Sequence, residues 1–294
     1  MKKLILFCIT CLLTTNLIRS QDSSIKDYLD SYIGVNAKPY VQPLADLFAS
    51  NLNTGIWEWS NFDKKFFIRF KLQGMVSFPS TSMRTFQGTT TGDFRPQQTV
   101  TVPTIIGDPG EILIHGEDTT FYVFAGGYNL KRMTLGTPQL TVGGFLNSEV
   151  SVRFLSFSLG EDIGRVRFIG LGFRHSLTGY FDHPPFDFSV GYFYHHITAS
   201  TYLYSDQSLI TAHVGKSGKV FSGQLMVGYQ TSHSKIHYNY QDADFNYDVN
   251  LYLNNNNPWI MEANVGLRLG PVFASAAVSY ARHATVTIGG GLYL

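Results

Sequence analysis

Phe66-Phe67-Ile68-Arg69-Phe70-Lys71-Leu72-Gln73-Gly74-Met75-Val76-Ser77-Phe78 repeats with a period of two. Its even positions are apolar or glycine, ending in Val76 and Phe78. Its odd positions mix Phe67 and Met75 with Arg69, Lys71, Gln73 and Ser77. Successive side chains of a strand point to opposite faces, so this run is a strand with one apolar and one largely polar face. The pattern returns at 219–231, where Phe221, Leu225, Val227 and Tyr229 oppose Ser222, Gln224 and Gln230. It returns at 258–270, where Trp259, Met261, Val265, Leu267 and Leu269 oppose Glu262, Asn264 and Arg268. Residues 186–198 set Phe186, Phe188, Val190, Tyr192 and Tyr194 against Asp187, Ser189 and His195, and 272–282 and 284–294 continue the alternation.

These runs are long. Strands of soluble proteins average about 5–6 residues, whereas a tilted strand crossing a bilayer takes about 9–11. Lys216-Ser217-Gly218, Gly270-Pro271 and His283 separate adjacent runs, as in a meander of antiparallel hairpins. Weaker strands are expected at 138–143, 148–158, 164–175, 207–215, 233–241 and 246–253. Residues 79–120, rich in Ser, Thr, Gly and Pro, are read as a hairpin or a long loop.

Two environments could explain the alternation. In a soluble secreted sandwich or barrel the apolar rows would meet in a core. In a transmembrane barrel they would meet lipid. Strand length, the small residues of the polar rows and the aromatics ending the apolar rows favour lipid. So does charge: a Lys or Arg on the lipid face near the midplane would cost about 2–4 kcal/mol, and the apolar rows of the clearest runs carry none. The fold class expected is therefore all-β, a transmembrane antiparallel up-and-down barrel of about 10–14 strands with an N-terminal helical plug-like segment.

Composition agrees. Charged residues are 15% of the 294-residue chain and aromatics another 15%, which excludes a disordered chain, a coiled coil and a nucleic-acid-coating basic protein. Lys2 and Lys3 precede an apolar run from Leu4 to Leu13, and Ile18-Arg19-Ser20 precede Gln21. This reads as a signal peptide, residues 1–20, too short to span about 30 Å of hydrocarbon as an anchor. Cys8 and Cys11 would leave with it, and so would any disulfide or thiolate metal site. The localisation expected is the outer membrane of a Gram-negative bacterium. Residues 21–57 form an N-terminal helical segment and 58–294 the barrel. Val41, Leu44, Leu47 and Phe48 follow helical spacing, with Pro39 and Pro43 suited to its first turns and Gly55 to its end. The helix either packs on a sheet or plugs a barrel.

Chemistry is thinly marked. His195 and His196 are neighbours on a strand and cannot chelate one metal together. Ser and His are plentiful, but no spacing demands catalysis; no enzyme activity, metal or cofactor is expected. The charges on polar rows, Arg69, Lys71, Glu149, Arg153, Asp187, Glu262 and Arg268, should point into the lumen. They either tie wall to wall and wall to plug, or hold a ligand head group.

The segment Tyr40, Pro43-Leu44-Ala45, Phe48 and Asn51-Leu52-Asn53-Thr54-Gly55 resembles the start of Bacteroidota outer-membrane proteins related to the FadL long-chain fatty-acid transporters. Pro138 to Gly143, Glu149-Val150, Arg153-Phe154-Leu155 and Gly170 to His175 look like the same group. The resemblance covers roughly residues 35–294. It implies a barrel with an N-terminal helical plug and passage of small hydrophobic molecules. The partners expected are outer-membrane lipid, a small hydrophobic ligand and other outer-membrane proteins, with no nucleic acid. The alternative is a non-transporting barrel that serves as a structural or partner-binding subunit of an outer-membrane complex. An outer-membrane enzyme would require Ser, His and Asp side chains converging at one rim.

Overall fold

The computed structural model describes residues 35–60, 65–92, 94–117, 120–158, 165–199, 203–241 and 246–294. The expected signal peptide and the weak helical stretch at 25–32 lie outside them. Helix α1 spans Ala37–Leu52. The strands are β1 (Phe67–Phe78), β2 (Thr85–Thr89), β3 (Thr99–Pro103), β4 (Ile112–His115), β5 (Phe121–Phe124), β6 (Met133–Phe145), β7 (Ser148–Ser158), β8 (Arg165–Ser176), β9 (Asp187–Ala199), β10 (Leu203–Ser217), β11 (Phe221–Gln241), β12 (Asn246–Asn254), β13 (Trp259–Leu269), β14 (Val272–Tyr280) and β15 (Ala284–Tyr293). Strands β1, β6 to β11 and β13 to β15 close an antiparallel barrel of 10 strands, sealed where β1 meets β15 and β6. Hairpins β2–β3 and β4–β5 lie in the segment between β1 and β6.

The two ends of the barrel differ. One carries the start of β1, the end of β15 and short turns. Leu146 and Asn147, both at positive φ, turn β6 into β7, and Gly270-Pro271 turns β13 into β14. The other end carries the 79–132 segment and the β11–β12 hairpin.

Three sequence expectations need correction. The runs at 219–231 and 233–241 are one strand of 21 residues, roughly 70 Å long. It leaves β13 at Tyr229–Trp259 and pairs with β12 above that level, so β12 extends the wall but is not part of the closed ring. Pro43 lies inside α1 and not in its first turns. Gly55 sits beyond the helix, which ends at Leu52; its φ of +57° turns the chain into the lumen.

Burial alternates along the wall. On β8 the luminal Val166, Phe168 and Arg174 are buried, while Ile169, Leu171 and Phe173 are about half exposed on the outside. The outer rows of β1, β11, β13, β14 and β15 are likewise exposed and apolar, from Phe70 and Leu72 to Leu225, Val265, Val278 and Ile288. Contiguous exposed apolar rows of this kind are rare on soluble monomers. The greasy rows do not meet in a closed centre, which overturns the soluble alternative's premise. Among the described residues no helix is long and apolar enough to cross a membrane.

Inside, residues 35–60 run the length of the bore. Asn36 at the start of α1 bonds the backbone of Thr89 at the long-loop end. Tyr40 donates to the Gly126 carbonyl. Asn51 reaches Ser77 near the top of β1, and Ser60 reaches Ser217 and Asp187 at the short-turn end. Helix α1 thus fills the upper lumen, and an extended strap, 53–60, fills the lower.

Candidate functional site

The lower lumen is a polar clamp on the strap. An extended chain inside a barrel exposes carbonyls and N–H groups that no ladder satisfies, so wall side chains must pair them. Arg153 donates to the carbonyls of Leu52, Thr54 and Gly55 at 2.7, 3.2 and 3.1 Å, and to Gln139 Oε1 at 2.8 Å. Lys71 donates to the Gly55 carbonyl at 2.6 Å and Gln139 to that of Ile56 at 2.8 Å. Gln224 and Asn264 both donate to Trp57 O. Arg174 donates to Trp59 O at 2.5 Å. In the other direction, Gly55 N–H donates to Glu262 at 2.8 Å.

Charges of both signs pair around the same strap. Glu58 pairs with Lys71 and, at 3.6 Å, with Arg69. Glu149 pairs with Arg69 and, at 2.7 Å, with Arg174. All five side chains are almost fully buried. Removing one member of such a network leaves an uncompensated charge, the costliest kind of core defect. Aromatics close the remaining space: Trp59 packs edge-on against Phe273 and Tyr293, and Trp57 against Phe193 and His213.

The upper lumen is apolar. Leu52 of α1 joins Met75, Val166, Phe168, Ile197 and Ala199, all buried. Phe48, Leu135, Leu155 and Leu203 pack on this layer and keep accessible surface. At its floor the buried His195 ring lies 5.2 Å from Phe168 and 4.5 Å from Phe193, with neither nitrogen bonded. Above it, Tyr40, Val41 and Leu47 pack with Val102, Ile105, Ile106 and Phe124 into a cap over the bore.

The wall beside this layer is not fully zipped. Strands β6 and β7 pair from Phe145↔Ser148, across a bulge, to Gln139↔Arg153, and among the described residues no further. Yet β6 stays paired with β1 up to Ser77↔Met133, and β7 with β8 up to Ser158↔Arg165. The break falls at Pro138, which has no N–H to give to a ladder. The seam above it is lined by Leu135 and Leu155 of the apolar layer. Outside, its lower end is flanked by Leu72, Phe154 and Ile169, all about half exposed.

Of the charged residues singled out from the sequence, Arg69, Lys71, Glu149, Arg153 and Glu262 converge on the strap. Asp187 and Arg268 sit at the short-turn rim, where Asp187 meets the strap only at its end, Ser60. Asp187 accepts from Ser217 N–H, and Arg268 lies 3.6 Å from the centre of the Tyr293 ring. On the helix Val41 and Leu47 are buried, whereas Leu44 and Phe48 are half-buried. Glu58 and Arg174 were not among the candidates. Arg174 shares the luminal parity of β8, a signal that was there to read. Glu58 stands in a segment too short for any periodicity.

The architecture is that of a closed, plugged β-barrel. The chain belongs to a family of unknown function, DUF6588, whose model matches residues 1–294. No curated protein matches it. Among solved structures it is similar to the translocator domain of the autotransporter NalP from Neisseria meningitidis, at 12% identity and a TM-score of 0.31, over 87% of this chain and 99% of that one. It is similar to a loop-deleted OmpT, an outer membrane protein of Vibrio cholerae, at 12% identity and a TM-score of 0.28, over 78% and 98%. It is also similar to the attachment invasion locus protein Ail of Yersinia pestis, at 8% identity and a TM-score of 0.29, over 78% and 99%. Likeness at this level carries no ligand or activity across.

Proposed function

We propose that the protein is an outer-membrane barrel that passes small hydrophobic molecules between its upper lumen and the bilayer, through the side of the wall. The exposed apolar belt supports the membrane setting, and the short turns and long loops at opposite ends orient it with the cap outward. The single observation that carries the transport reading is the β6–β7 seam. There the ladder between two strands is missing beside an apolar layer, while the clamped strap shuts the lower lumen. An aqueous pore would need water along the axis; here that axis is occupied by residues 53–60. A hydrophobic molecule needs none, because leaving water for the Phe48–Leu155 surface is favourable by about 25 cal/mol per Å².

The filled lower lumen also favours a second reading, a shut barrel that serves as a subunit of a larger complex. One experiment separates the two. From residue 12 onward the chain has no cysteine, so Gly136→Cys with Ser156→Cys places a unique pair across the seam, to be bridged by a short reducible bis-thiol cross-linker. Uptake of N-phenylnaphthylamine by a host expressing the protein should exceed that of an empty host. It should fall to background on bridging and recover on reduction. No uptake above background would leave the subunit reading in its place, and uptake indifferent to the bridge would rule out the seam as the route.

A further inference from the structure

We infer that the top of β8 holds the phosphate of an outer-leaflet lipid, an inference that rests on the membrane reading above. Arg165 and Arg167 are exposed on the outer face of β8, two residues apart and therefore on one side of the strand. Directly below them on that face come Ile169, Leu171 and Phe173. A column of two guanidinium groups over three lipid-facing apolar side chains matches a lipid in which an anionic head group sits over acyl chains. Guanidinium groups bind phosphate through paired N–H donors, which makes arginine better suited to this task than lysine.

The surroundings extend the match. In the register of the wall, Arg167 stands between Ser156 of β7 and Thr198 of β9, and Arg165 beside Ser158. Both serines are exposed and can donate to phosphate oxygens. Tyr194, beside Leu171, and Tyr192, beside Phe173, add aromatic surface lower on the same outer face, alongside the acyl chains. Two other exposed charge sites are already engaged: Arg84 pairs with Asp108, and Asp206 accepts from Tyr194 and pairs with His196. Among the described residues neither Arg165 nor Arg167 has an acidic partner. Glu161 and Asp162, close in sequence, lie outside the described residues. The column stands beside the β6–β7 seam, where Phe154 pairs in register with Ile169. A lipid seated on it therefore borders the proposed passage.

The test uses the purified full-length protein in detergent, with bisphosphorylated lipid A as the probe and native mass spectrometry as the readout. Wild type should retain the lipid, and Arg165→Gln/Arg167→Gln should lower its affinity by about a hundredfold, since each of the two lost charge-assisted contacts is worth about a tenfold change. Arg165→Lys/Arg167→Lys should restore part of it. Equal retention of dephosphorylated lipid A, an unchanged double variant, or full displacement by inorganic phosphate at the lipid's concentration would overturn the inference. Heat-modifiable migration on gels reports a folded barrel for every variant. If wild type instead stayed soluble and folded without detergent, the membrane reading itself would fail, which is distinguishable from a folded, detergent-bound barrel that ignores lipid A.

Discussion

The two halves of the lumen are built on opposite principles. Below, buried charges and amides are paired with one another and with the backbone of residues 53–60, and the strap is fixed in one register. Above, leucines, phenylalanines and a helix pack without directional bonds, beside a wall whose ladder stops at Pro138. Networks of buried polar groups specify one arrangement, because every partner left over costs free energy. Apolar contacts tolerate sliding and exchange. A shut gate and a greasy entry are the uses these two materials suit.

The sharpest way to break the contrast is at the clamp. Glu58→Leu should strand Lys71 in the bore, leaving Arg69 with Glu149, and cost about 3–5 kcal/mol of stability, read from urea unfolding in lipid. Gly55→Ala should cost less, about 1–3 kcal/mol, because its φ of +57° is strained for alanine and the new methyl would meet Thr287. Protease sensitivity of the strap should rise in both variants.

The upper half should respond differently, with function moving more than stability. Pro138→Thr restores an N–H at the break and should stabilise the wall by up to about 1 kcal/mol if the ladder extends. It should also slow N-phenylnaphthylamine uptake. Asp46, in α1, should give the smallest effect. Burial outweighs the hydrogen bonds from Asn256 and Gln42 and the influence of Arg282, and holds its carboxyl above the ordinary value. The folded state therefore binds this proton more tightly than the unfolded chain. That contribution to stability is present at acid pH and is lost as pH rises through the raised value. Asp46→Asn should flatten this slope and change stability at neutral pH by about 1 kcal/mol or less, measured by unfolding across pH.

The wall was legible in the sequence because a two-residue period reports two environments directly. Arg69 and Lys71 declared their luminal face through Phe70 and Leu72 on the other. The plug was legible as a helix from Val41, Leu44 and Leu47, but its path was not. Nothing in Ile56-Trp57-Glu58-Trp59 says that it meets walls distant in sequence, since Glu58 finds Lys71, and Trp57 finds Phe193 and His213, only when the barrel closes. The 21-residue strand was split in two because its luminal and extramembrane halves share no single hydrophobic rhythm, and a strand's length past the lipid is set by its partners β10 and β12. The seam was hidden too. Pro138 hinted at a break, yet pairing is a property of two strands and no single run encodes it.

The central claim is that the upper lumen meets lipid through the wall whereas the lower lumen does not. Bimane attached at Leu155→Cys or at Leu209→Cys in nanodiscs, quenched by brominated lipid, tests it most directly, because both side chains belong to luminal clusters. Strong quenching at 155 and none at 209 is the result this account requires. Equal protection at both positions would contradict it.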